Sequence, residues 1–192
     1  MFGRFAAFVI AIGAVTAAFG QGPWDIAKTK VKGKNVSIEY GRPVLAGRTV
    51  ESLLKQLPPD RVWRAGAGPV TILSTETDLA IGGRKVPAGN YSLYMHCPEK
   101  GDYSLIVNSE TGQTPGQPLP KATPNRENRD YPAFAGYTTA IGAKEVARVP
   151  LKKIPAPNSQ ILSYSFEPAG EGAVLTIHWG DQAWTTEIQP AQ

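Results

Sequence analysis

The chain has one cysteine, Cys97, and two histidines, His96 and His178, among 192 residues. A single thiol excludes any internal disulfide, so the fold has to stand on packing alone. So few soft ligands also make a metal centre improbable. On a strand His96 and Cys97 point to opposite faces, and His178 lies far along the chain. No G-x-S-x-G elbow precedes a helix, and no glycine-rich stretch is followed by the Lys-Ser or Lys-Thr start of a phosphate loop. The absence of both leaves no nucleophile triad and no nucleotide site, and no metal or cofactor is expected. Runs of like charge are also missing. The net charge of +4 is scattered, which gives no footprint for nucleic acid.

Long hydrophobic stretches are lacking as well. The longest apolar run, Phe5 to Phe19, is shorter than the roughly 20 residues that span a bilayer. With Arg4 before it and the small residues Ala18 and Gly20 ahead of Gln21, it follows the three-part pattern of a cleavable signal peptide over residues 1–20. The expectation is an exported protein, periplasmic or secreted, without stable membrane insertion after cleavage. The remaining 172 residues carry 19 basic and 16 acidic side chains, a balance of +3, and suit one domain.

What the sequence does contain is strand pattern. Residues 21–34 read as a linker. In NVSIEYG at 35–41, Val36, Ile38 and Tyr40 alternate with Ser37 and Glu39, as in a half-buried strand. TVESLLKQL at 49–57 has apolar residues on one helical face and stops at Pro58 and Pro59, giving one short surface helix. Further strands are expected at 62–65, 69–75, 78–82, 91–97, 103–108, 144–151, 160–167, 173–179 and 183–189. Gly82-Gly83 suits a tight hairpin, and Gly180-Asp181-Gln182 reads as the connection of the last pair, with Trp179 and Trp184 flanking it. Residues 109–132, rich in proline and glycine, read as a long loop. About ten short strands over residues 35–190 and no βαβ alternation give an all-β fold, an antiparallel β-sandwich or a partly closed barrel.

The runs YGRPVLAGRTV at 40–50, VWRAGAG at 62–68 and IGGRKVPAGNYSLY at 81–94, continued by LIVN at 105–108 and LTIHWG at 175–180, resemble a bacterial family of exported proteins, DUF2911, a domain of unknown function. The resemblance covers nearly the whole chain after the signal segment and implies export and an all-β domain. It assigns no activity and no catalytic residue. The chain departs from that family at Gly68-Pro69 and Val70, where the family usually carries an Asn-Glu pair and a threonine.

One cluster stands out as a candidate ligand site: Tyr40, Arg42, Arg48, Trp63 and Arg64, arginines beside aromatics at strand ends and in loops. Arginine grips carboxylates with a rigid fork and stacks on aromatic rings, so this set suits an anionic or sugar-like ligand. The competing reading makes the same residues a structural corner, with Trp63 in the core and the arginines satisfying carbonyls or acids. The favoured function is a non-catalytic exported module that binds a small molecule, glycan or envelope protein. An exported hydrolase using carboxylates or the Arg cluster, and a structural or interaction module of the envelope, are the alternatives.

Overall fold

The computed structural model describes residues 24–68, 70–111 and 137–192. The signal segment and nearly all of the expected 109–132 loop lie outside the described residues. Among the described residues eleven strands form two antiparallel sheets packed as a sandwich, with no closed barrel. The larger sheet runs β1 (Trp24–Val31), β2 (Lys34–Gly41), β4 (Thr71–Thr75), β7 (Gly89–His96), β8 (Ser104–Asn108) and β9 (Glu145–Pro150). The two-residue β3 (Val62–Trp63) pairs with the end of β7, on the same edge as β4. The smaller sheet runs β10 (Lys152–Ala169), β11 (Gly172–Pro190), β5 (Leu79–Ile81) and β6 (Arg84–Val86).

Two expectations are corrected. Most of the 21–34 linker is strand: Trp24 pairs with Gly41 and Val31 with Lys34, joined by a two-residue turn with positive φ at both Lys32 and Gly33. The inward side chains of β1 include the small Ala27 and Thr29, while exposed Ile26 shares the outward face with lysines, so the period-two signal is faint. The second correction concerns the last pair of strands. They are one 19-residue strand, β11, and Gly180 pairs with Ser159 between two register shifts. Gly180 has φ +65°, which marks a bulge here and not a turn. Trp179 and Trp184 therefore sit on one strand and do not pair across a hairpin. The Gly82-Gly83 turn is a hairpin as expected, returning through β6.

Residues alternate strictly about the larger sheet. Leu73, Leu93, Met95, Leu105 and Val107 face the smaller sheet and meet Leu175, Ile177 and Ile188 in the main core. On the opposite, outer face Ile72, Tyr94 and Ile106 build a second, smaller cluster, roofed by Tyr137 and Ile141 of α2 (Tyr137–Ile141). The fully buried Asn108 anchors that roof: its Nδ2 donates to Tyr137 Oη at 2.8 Å and to the Ile141 carbonyl at 2.9 Å. A buried amide with its donors satisfied fixes a single position for α2.

The helix read at 49–57 is present as α1 (Val50–Leu54). Thr49 caps it, accepting from the Ser52 backbone, while Ser52 Oγ accepts from the Thr49 backbone. Val50 and Leu54 point into the core. Residues Lys55 to Leu57 continue as tight turns before the prolines, and this segment closes one end of the sandwich.

A corner and a cleft as the candidate functional site

Alternation along β3 sets the site's geometry. Val62 faces outward beside His96, and Trp63, opposite Met95, faces between the sheets. There it stacks on Trp179 of β11, with centroids 5.3 Å apart and planes at 16°. After Trp63 the chain leaves the sheet and rejoins at β4. Ala65 takes the left-handed conformation, φ +57°, and buries its carbonyl, which accepts from Thr71 Oγ1 at 3.0 Å and Tyr164 Oη at 2.7 Å. Gly41 makes this excursion fit, because a Cβ there would lie 1.9 Å from the Ala67 carbonyl oxygen. Only glycine allows that approach.

The structure separates the five candidate residues into two places. Tyr40 and Arg42 belong to a corner that ties the sheets together. Tyr40 is 1 % exposed, and its hydroxyl accepts from the Tyr164 backbone N–H at 3.1 Å and donates to Asp25 at 3.4 Å. The two rings sit 4.6 Å apart. Burial raises the phenol pKa of Tyr40 and that of Tyr164, so both remain protonated donors. Arg42 pairs with Asp25 at 3.4 Å and donates through Nε to the Leu162 carbonyl at 3.3 Å.

Arg48, Trp63 and Arg64 come together elsewhere, in a cleft of about 360 Å³. Its walls are the 43–48 loop, α1 with the following Leu57-Pro58, and the start of the β3–β4 excursion, with Trp179 also lining it. Arg48 is fixed by its own loop: Nε donates to Leu45 O at 2.9 Å and one terminal nitrogen to Val44 O at 3.1 Å. Among the described residues no Asp or Glu lines the cleft. Neither Tyr40 nor Arg42 reaches it.

The histidines and the cysteine are not brought together. His96 lies on the outer face of the larger sheet, where partial burial lowers its pKa, and the nearby Arg148 acts in the same direction. His178 alternates with buried Ile177 and Trp179, so it faces away from the interior, and its Nε2 is 2.8 Å from Pro157 O. Cys97 is a buried thiol whose pKa burial pushes up to about 12. Among the described residues no three His, Cys, Asp or Glu side chains converge as metal ligands. No helix among them is long and apolar enough to cross a membrane. Sequence reasoning missed Trp179 as the partner of Trp63; the inward phase of both strands was the available signal.

Fold and cleft together define a β-sandwich with an open, largely apolar groove bordered by two arginines. The chain belongs to the family described as "Protein of unknown function (DUF2911)", whose model matches residues 22–188. No curated protein and no solved structure matches it.

Proposed function

We propose that this protein is an exported binding module, periplasmic or secreted, that holds a small ligand in the Trp63 cleft. The observation that carries the reading is the combination in one concave site of a rigid aromatic face, Trp63 backed by Trp179, with two arginines. Mostly apolar walls with a few fixed polar groups are the general form of a ligand pocket. Among the described residues lining the cleft there is no carboxylate pair for glycoside or ester cleavage, which favours binding over hydrolysis. Export rests on the pattern of residues 1–20.

A thermal-shift screen of small organic metabolites tests the site, because a ligand of the native state raises the unfolding midpoint. Hits on the native protein that vanish in Trp63→Ala, at a midpoint still well above the assay temperature, support the cleft. Hits retained in that variant place binding elsewhere. For export, the protein recovered from the producing cell's envelope or medium should begin near Gln21; full-length chain confined to the cytoplasm contradicts it.

A further inference from the structure

The cleft proposed above as a binding site also has a charge pattern that selects among ligands. Its charged or amide side chains are Arg48, Gln56 and Arg64; apart from the indole N–H groups of Trp63 and Trp179, the rest of the lining is apolar or backbone. Gln56 donates to its own helix, to Ser52 O at 3.0 Å. Among the described residues no Asp or Glu lines the cleft itself, although Glu51 and Asp181 line a neighbouring hollow that Arg48 also borders. Arg48 pairs with no carboxylate among the described residues, and it commits two of its five donors to carbonyls of its own loop. Three N–H groups remain, all on its two terminal nitrogens. A guanidinium that is already oriented loses little further entropy on gripping an anion, and a planar carboxylate matches its donors.

The apolar part of the cleft constrains the rest of the ligand. Trp63 is held flat by a nearly parallel neighbour, so the exposed part of its ring is a rigid platform for a planar group. A volume of about 360 Å³ falls near the lower end of ligand pockets, which run from roughly 300 to 1,000 Å³, and accommodates one or two rings but no long chain. Beyond the exposed Arg48 the walls are mostly apolar, and a monoanion is cheaper to bring against them than a dianion. We infer that the cleft takes a small monocarboxylate carrying a flat apolar body, an aryl-alkanoate in chemical class. This inference rests on the cleft being the binding site.

The probes are 3-phenylpropanoate, 3-phenylpropanol and 3-phenylpropylamine, which share one body and differ in charge. They are titrated against the protein as the cell processes it, read by tryptophan fluorescence and calorimetry. The carboxylate should bind about tenfold or more tightly than the alcohol, the return expected from one charge-assisted contact, and the amine weakest of all. Arg48→Gln should bring the acid and the alcohol to within about threefold of each other, and Trp63→Ala should weaken both. If acid and alcohol bind equally in the native protein, and Trp63→Ala weakens both, the carboxylate class is overturned while the cleft stands. If no probe binds, or binding ignores Trp63→Ala, the ligand class and the cleft reading fall together. The three-probe comparison on the native protein needs no variant to fold.

Discussion

The corner around Tyr40 and the cleft around Trp63 are built from the same kinds of residue, and they differ in where the polar partners come from. In the corner, Tyr40 and Arg42 bond within the chain, to Asp25, Tyr164 and Leu162. In the cleft, Arg48 commits two donors to its own loop and forms no ion pair among the described residues, although Glu51 and Asp181 line a neighbouring hollow that it also borders. A half-buried cation whose partners are internal holds a fold together; an exposed one with donors to spare beside an open apolar surface is available to a ligand. Arginines and aromatics close in sequence therefore do not define a site until the sheet assigns each of them a face.

The comparison breaks most readily at Gly41. Gly41→Ala places a methyl group 1.9 Å from the Ala67 carbonyl oxygen, and backbone cannot yield as a side chain tip can. We expect a loss of about 3 kcal/mol or more, or failure to accumulate folded protein, measured by urea denaturation. An unchanged midpoint would mean that the excursion after Trp63 does not lie against β2.

Tyr40→Phe is the next largest. It leaves the buried Tyr164 N–H without its acceptor and should cost about 1–3 kcal/mol, while affinity in the cleft is unchanged. Cys97 reports the same event kinetically. Its thiol is buried, its pKa is pushed up to about 12, and Tyr164 is close enough to feel its charge. At pH 8 the native protein should resist a thiol reagent, and Tyr40→Phe should be labelled faster, because a destabilised fold exposes the buried sulfur more often. Rapid labelling of the native protein would contradict the packing.

A smaller effect is expected from acid. Burial holds the His96 pKa below its ordinary value in the folded state, so the unfolded chain takes up the proton first as pH falls. Stability from this group is complete above the ordinary histidine range and is lost as pH drops through it toward the depressed folded value. Arg148 and Arg61 push His96 in the same direction, while Glu145 and Asp60 oppose them. His96→Asn should flatten the slope of midpoint against pH between about 7 and 5, and the cleft's affinity per folded molecule should not follow it.

Most of the strand layout was legible because half-buried strands write their period into the sequence. The stretch 91–97 gave both faces correctly: Leu93, Met95 and Cys97 lie in the main core and Tyr94 in the outer cluster. What failed were places where one residue type serves two structures. Gly180 has the positive φ of a turn but serves a bulge in a continuous strand. Ala27, Thr29 and exposed Ile26 blurred the alternation of β1. The candidate site was half legible. Residue type flagged Arg48, Trp63 and Arg64, yet their separation from Tyr40 and Arg42 depends on which strand face each occupies and on contacts to Leu162, Tyr164 and Trp179, more than a hundred residues away in sequence.

Arg42→Gln and Arg48→Gln, compared side by side for unfolding midpoint and for affinity toward 3-phenylpropanoate, test the division most directly. Arg42→Gln should lower the midpoint by several degrees, at about 3 °C per kcal/mol, and keep the affinity of the folded protein. Arg48→Gln should move the midpoint little, since water replaces its two contacts in an exposed loop, and should lose about tenfold in affinity. If both substitutions lower the midpoint equally and neither changes the affinity, the distinction between corner and cleft is wrong.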